Sequence, residues 1–316
     1  MQDLIIIGAS AAGCSAAIYA ARRNLNFSII SKDVGGEVNL SGQINNWPGI
    51  IEINGFQLAQ TFRQHVESYG VKFDEGWEIT QIEKIQNHFV VTAKNLSNEE
   101  KSWESKAVII ATGIHPRTLN IPGEKEFRGK GVTYCTVCDG PLYRGKITAT
   151  IGAGNVALES ALMMSKIATK VFLITKYSNT PEDKGGFPKG EDILVKKVKI
   201  LPNIEIIYNA KTEEIIGEQM VTGIKYKDIS TGEEKIIKVQ GVMIHAGTIP
   251  NSDLVNTEKN PTGEIIIDQK CQTSIPGIFA AGDVTNIPFK QIVIAAGQGA
   301  TAALSSIGYI NKWKEE

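Results

Sequence analysis

Two strand–turn–helix segments in this chain of 316 residues carry the same glycine pattern, and together they restrict the fold more than any other feature. In the first, the β-branched run Asp3–Gly8 leads into Gly8-Ala9-Ser10-Ala11-Ala12-Gly13. Small and apolar residues then recur at helical spacing to about Arg23, and a second strand follows at Phe27–Ile30. Glycines at this spacing make the turn tight, let backbone approach a pyrophosphate and let the helix lie close on the strand. Ser10 stands where the second glycine normally sits and is small enough to keep the reading. In the second segment, Ile147–Gly152 leads into Gly152-Ala153-Gly154-Asn155-Val156-Ala157, a helix to about Ile167 and a strand at Lys170–Thr175. Alanine replaces the third glycine there, which helix packing tolerates. Each segment is followed by a predicted β-meander. The first comprises Ile79–Ile85, Phe89–Ala93 and Ser102–Ser105 with a hairpin at Asn95–Glu100, and the second comprises Gly223–Asp228 and Glu234–Val239 around Ser230-Thr231-Gly232. A closing strand ending in glycine completes each set, at Ala107–Gly113 and Val242–Gly247. One such turn is weak evidence. The repeated plan predicts an α/β chain with two Rossmann-like, three-layer ββα dinucleotide-binding domains.

With 42% hydrophobic and 21% charged residues the chain is long enough for two cores, and a net charge of -1 provides no general field for nucleic acid or anionic lipid. No apolar run is read as reaching membrane length, since the candidate near Ile292–Leu304 is short and rich in Gly and Ala. Four cysteines are too few for a secreted disulfide scaffold, and the start MQDLIIIGAS has no basic n-region or cleavage site, so a cytoplasmic setting is expected.

Chemistry concentrates at Cys135-Thr136-Val137-Cys138-Asp139, where two thiols stand at redox-pair spacing beside an acid that can handle their proton. A C-x-x-C at a helix start brings both sulfurs to one turn, where the helix dipole favours thiolate. Half of a zinc site is the alternative. It lacks a second pair, because Cys14 and Cys271 are single, far apart in sequence and without a nearby His, and no metal is expected. Gly35-Gly36 and Asn45-Asn46-Trp47-Pro48-Gly49 are a glycine pair and a rigid turn suited to backbone approach to a flat ligand. Ser274–Asp283 reads as a buried strand ending in an acid, and a helix runs from about Lys290. A carboxylate at that strand end suits a ligand hydroxyl.

These residues together resemble the low-molecular-weight thioredoxin reductases over essentially the whole chain. The likeness rests on Cys135–Gly140, Gly152–Glu159, Asn46–Gly49, Ala111-Thr112-Gly113, Ala280–Val284 and Lys290-Gln291. It implies a discontinuous FAD domain, residues 1–114 and 248–316, with an NAD(P)H-type domain, 115–247, inserted in it and carrying the redox pair. FAD contacts are expected from Gly8, Ser10, Ala12, Gly13, Gly35, Gly36, Asn46, Ala111, Thr112, Gly113, Gly282, Asp283, Lys290, Gln291 and Ile292. The nucleotide-type site is expected at Gly152, Gly154, Asn155, Val156, Ala157, Glu159 and Lys176. By the same resemblance Cys138 takes electrons from the flavin, Cys135 attacks a partner disulfide and Asp139 moves the proton, which suits the thiolate attacker and protonated leaving sulfur of thiol–disulfide exchange. Thioredoxin or a thioredoxin-like protein is the implied partner, the chain is expected to be a homodimer, and crossovers near Gly113–Arg117 and Gly247–Asn251 are expected to act as hinges.

The chain departs from the family at Thr175-Lys176-Tyr177, where the family carries a His and two Arg that hold the 2′-phosphate of NADPH. Lysine offers a point charge without the planar fork, and no acid is present to grip an NADH ribose. NADPH or NADH is the default donor, and ferredoxin is the alternative, because the sequence is similar here to relatives that use it. The Tyr177–Lys189 loop, polar and holding Pro181, Gly185, Gly186 and Pro188, is expected to cover the groove or replace the missing contacts. A non-enzymatic FAD-binding sensor that switches through Cys135–Cys138 is the reading from another class. His245 is read as structural, and His115 has no role assigned.

Overall fold

A computed structural model describes residues 1–41 and 43–314, without the side chains of Gln43 and Cys138. The chain divides into two compact units, Met1–His115 with Ile249–Glu316, and Pro116–Thr248.

In chain order the first unit begins with β1 (Gln2–Ala9), α1 (Ala11–Ala21), β2 (Phe27–Val34), α2 (Gly36–Asn39), β3 (Gln43–Ile44), β4 (Ile53–Asn54), α3 (Gly55–Glu67) and β5 (Phe73–Glu75). The meander β6 (Glu78–Ile85), β7 (His88–Lys94) and β8 (Glu100–Ile110) follows, then β9 (Ile114–Pro116) crosses to the second unit. That unit comprises β10 (Val132–Thr133), α4 (Thr136–Asp139), β11 (Ile147–Ile151), α5 (Asn155–Ser165), β12 (Lys170–Ile174), α6 (Asp192–Ile200), β13 (Ile204–Ile207), β14 (Ala210–Gly217), β15 (Val221–Asp228), β16 (Glu234–Lys238) and β17 (Gly241–Ile244). β18 (Thr248–Pro250) pairs with β9 and returns the chain, and β19 (Ile278–Ala280) and α7 (Ile292–Ile310) complete the first unit.

The first sheet runs β5-β2-β1-β8-β7-β6, with β19 also on β8. β1 lies parallel between β2 and β8, and its residues Leu4–Ile7 are at most 2% exposed, as a central strand covered on both faces requires. The two-residue period sends Leu4 and Ile6 to a core shared with α1 and α7, and Ile5 and Ile7 to one shared with Phe89, Val91 and Trp103 of the meander. Helices, sheet and meander thus form three layers. The second unit repeats them: the parallel sheet β10-β17-β11-β12-β13 packs Val242 and Ile244 towards β14–β16 and Met243 towards α5. The α/β, ββα plan read from the sequence is the plan observed.

Three local expectations change. Ser102–Ser105 and Ala107–Ile110 are one strand, because β8 pairs antiparallel with β7 up to Ser105 and parallel with β1 from Ser105 onward. β14 went unread, since a register shift between Thr212 and Glu214 breaks the alternation that marks a strand. α7, at 19 residues, reaches the length and apolarity of a membrane-spanning helix, contrary to the shorter segment read from the sequence. Its Ala and Gly content has a packing reason: a Cβ on Gly299 would lie 2.0 Å from the Ala12 carbonyl oxygen, so α7 and α1 approach through backbone.

Two substitutions separate this contact from helix propensity. Gly299→Ala should destabilise by about 1–3 kcal/mol through overpacking, whereas Gly297→Ala, with open space around its Cβ, should stabilise by roughly 0.5–1 kcal/mol. Urea unfolding midpoints of the two variants check the pair, and equal midpoints would contradict the packing account.

Candidate functional site

Each unit places its own chemistry at the carboxyl ends of its parallel strands. In the first, the turn leaving β1 needs Gly8: its φ is +104° and a Cβ would sit 2.3 Å from the Ala111 carbonyl oxygen at the end of β8. Gly13 is equally constrained, with a Cβ position 1.7 Å from the Gly8 carbonyl oxygen. Ser10, at the N-cap of α1, spends its hydroxyl on the Gly35 carbonyl (2.7 Å), and the Gly35 amide donates back to the Ala9 carbonyl (2.8 Å). Serine in the second glycine position thus clasps the Gly8–Gly13 turn to the Gly35-Gly36 turn. The first turn of α1 has no side-chain cap and no acid, which leaves it receptive to a phosphate.

β19 delivers the acid. Gly282, at φ +79°, puts its Cα so near α1 that a Cβ would lie 3.0 Å from the Ala12 Cβ. Asp283 follows, and burial pushes its carboxyl up while Lys290 pulls it down. Asp283 is half-buried, a carboxylate able to accept from a ligand hydroxyl. Asn46 Nδ2 donates to Gln291 Oε1 (3.1 Å), joining two expected contact residues, and Ile292 opens α7. Lys290 is committed elsewhere, to Glu264 (2.8 Å) and the Thr285 carbonyl (2.5 Å). The Thr112 hydroxyl donates to the Asn251 carbonyl (2.7 Å), and His115 Nδ1 meets Asn251 Oδ1 at 2.6 Å. An uncapped helix start, a glycine cradle that any Cβ would fill and a half-buried carboxylate fit an elongated phosphate-and-polyol group such as FAD.

In the second unit Cys135 is disulfide-bonded at the start of α4, while Cys14 and Cys271 are buried free thiols, pushed up to about 12 and about 11 by burial. The Cys138 side chain lies outside the described residues. A four-residue helix cannot hold itself, and side chains brace it. Thr133 accepts from the Cys135 amide (3.1 Å) and donates to Asp139 Oδ2 (2.5 Å), which fixes the acid beside the motif. Tyr134 donates to Glu124 (2.8 Å), whose carboxylate also takes the Leu119 and Asn120 amides, and burial followed by that carboxylate raises the phenol. Thr136 meets Ser160 Oγ at 2.6 Å and His245 Nε2 at 2.9 Å. Val137, between the cysteines, and Leu142, beyond them, are exposed, at 62% and 69%.

The second glycine turn lies on β11 and α5. A Cβ on Gly152 would be 2.5 Å from the His245 carbonyl oxygen, and α5, with Gly154 at its N-cap, has no side-chain cap and no acid in its first turn. Asn155 is engaged: its Oδ1 accepts from the Glu191 amide and its Nδ2 donates to Glu191 Oε1, both at 2.8 Å. Ala157 is buried, whereas Val156 and Glu159 face solvent. Lys176 is exposed over the Tyr177 ring, 5.3 Å from its centroid. The loop beyond is ordered by Asp183, which accepts from the Ser178 amide (3.1 Å) and hydroxyl (2.5 Å), and by fully buried Phe187. Sequence reading missed Asp183, Glu191, Ser160 and Glu124. Only Glu124 carried a signal, an acid after the Pro122-Gly123 turn. Among the described residues no cluster of His, Cys, Asp or Glu is placed to hold a metal.

Burial lowers His245 to about 4. Between its ordinary value near 6.5 and that value the unfolded chain binds a proton that the folded chain does not, so stability present above about 6.5 is lost as pH falls. The full loss approaches about 3 kcal/mol at most. Melting temperature should therefore decline from pH 7 to 4.5, and His245→Phe should flatten that decline; an unchanged slope would contradict the burial account.

Residues 2–299 match the family model described as pyridine nucleotide-disulphide oxidoreductase. An alkyl hydroperoxide reductase component of Staphylococcus aureus is 40% identical over 310 residues, covering 98% of this chain. The chain spans only 59% of that relative's length. Among solved structures, thioredoxin reductase from Streptococcus pyogenes is 33% identical with a TM-score of 0.79, covering 99% of each chain. A ferredoxin-flavin thioredoxin reductase from Clostridium acetobutylicum is 30% identical with a TM-score of 0.53, covering 98% of each. On these grounds the chain belongs to the pyridine nucleotide-disulphide oxidoreductase family, a membership that implies FAD and a nicotinamide nucleotide as cofactors.

Proposed function

We propose that this chain is a disulfide reductase that takes two electrons from a reduced donor and delivers them through the Cys135 disulfide to thioredoxin or a thioredoxin-like protein. The observation that carries the reading is the Cys135 disulfide at the start of α4, with Asp139 fixed beside it by Thr133. FAD, when bound, supplies two-electron exchange between the donor and the disulfide. Gly8, Gly13 and Gly282 would give it room, the α1 amides would meet its phosphates, and Asp283 would accept from its polyol. Reduction opens the disulfide to two thiols, and the Cys135 thiolate then attacks the partner's disulfide. Asp139 holds or releases the proton that one sulfur gains and the other loses.

A nicotinamide nucleotide is the first donor, held at Gly152–Ala157 on the uncapped start of α5. A second reading, a ferredoxin-type donor, is favoured by one feature. Lys176 is the sole base at the end of β12 and its ammonium lies over Tyr177, so no guanidinium fork is available there for a 2′-phosphate. Likeness to the Clostridium acetobutylicum structure supports the same reading. The staphylococcal relative supports a peroxidase component as the protein partner, a reading for the disulfide acceptor alone.

Anaerobic spectra of the yellow protein test these statements. Bleaching by NADPH or NADH supports the first donor and bleaching by reduced ferredoxin alone supports the second. Cys135→Ser should keep flavin reduction and lose turnover with a thioredoxin disulfide to background. Full turnover in that variant, or purified protein that refuses FAD, would overturn the assignment.

A further inference from the structure

Only one of the two residues between the cysteines turns inward. Val137 is 62% exposed, while Thr136 is 5% exposed and meets two polar groups from elsewhere in the unit, Ser160 on α5 and His245 just after β17. The Thr136 hydroxyl has one proton and two lone pairs, enough to bond both partners at once. When the Thr136 hydroxyl donates to Nε2 the imidazole must be neutral, and burial, which lowers His245 to about 4, keeps it neutral at physiological pH.

Within α4 itself little resists motion. The Asp139 amide donates back to the Cys135 carbonyl (3.1 Å), and helix nucleation is unfavourable at four residues. The position of the turn carrying the sulfurs therefore depends on side-chain ties, and the Thr136 tie is the buried one that reaches two other elements. This arrangement coexists with the disulfide of Cys135. Opening the disulfide obliges the two sulfurs to separate to non-bonded distance, and a turn pinned at its first residue yields to that separation less readily than a free one.

We propose that His245, acting through the Thr136 hydroxyl, is a positioning residue that holds the redox turn in its disulfide geometry and so makes that disulfide harder to reduce. This rests on the reading of Cys135 as the working redox centre. The same device makes the dithiol a better reductant, because whatever favours the disulfide favours handing two electrons on.

The test is equilibration of the FAD-bound protein with glutathione redox buffers. Two glutathione thiols give up two electrons and two protons to become glutathione disulfide, while the Cys135 disulfide breaks and gains both electrons and both protons. Samples are quenched in acid, denatured and alkylated. The oxidised chain carries two alkyl groups, on Cys14 and Cys271, and the reduced chain four. His245→Phe, close in shape but without the hydrogen bond, should raise the equilibrium constant for reduction about five-fold or more. His245→Gln, whose amide reaches the place of Nε2, should bring it back to near the parent value. If His245→Phe fails to fold, Thr136→Val carries the same expectation and Thr136→Ser the same rescue. Folded His245→Phe or Thr136→Val proteins with the parent's equilibrium constant would overturn the proposal, as would a shift that Gln and Ser both fail to reverse. The functional reading fails by a different result, a disulfide that responds to glutathione while the flavin never exchanges electrons with it.

Discussion

Backbone lying directly on backbone is the constraint from which the first unit follows. At Gly8 the end of β1 comes within a methyl group's reach of the Ala111 carbonyl, and at Gly13 helix α1 comes equally near the strand it has just left. Any side chain at either place would push helix and sheet apart and close the space in front of the α1 amides. β8 lies beside β1 and β19 pairs along β8, so that Asp283 arrives at the helix start instead of in a remote loop. An apolar core explains the stability of this unit, and the missing Cβ atoms explain how closely helix and strand approach at its turn.

In the second unit the corresponding turn at Gly152 serves a different arrangement. The residue whose carbonyl crowds Gly152 is His245, and the same residue's ring reaches Thr136 inside the redox motif. One histidine therefore links the dinucleotide-type turn, through its backbone, to the sulfur chemistry, through its side chain. Thr133, Tyr134 and Thr136, consecutive around Cys135, each send a hydroxyl to a different anchor, so the reactive turn is fixed by neighbours and owes little to its own helix.

How much of this was legible in the sequence depended on whether the signal was local. Glycine spacing, strand alternation and C-x-x-C are local, and they led to both sheets, both uncapped helices and the redox motif. β14 was lost because a bulge at Thr212–Glu214 erased its period. The anchors Glu124, Ser160 and Glu191 were lost for another reason: they act on residues brought near by folding, at separations of 10, 24 and 36 positions, for which no sequence spacing is diagnostic. Ser10 reads in sequence as a tolerated departure from the glycine pattern, and only the fold shows its hydroxyl clasping Gly35. The Tyr177–Lys189 loop reads as a covering segment on composition, whereas Asp183 and buried Phe187 give it an internal order that composition does not reveal.

The pairing of β9 with β18 carries a consequence for synthesis. Chain that has emerged from the ribosome up to β8 lacks both β19, which pairs along that strand, and α7, whose backbone covers α1. Neither arrives until the whole inserted unit has been translated, a wait on the order of ten seconds at usual elongation rates. Through that interval one edge of β8 and the small-residue face of α1 stand open to nascent-chain chaperones, while the later-encoded unit, continuous in sequence, has everything it needs to fold first.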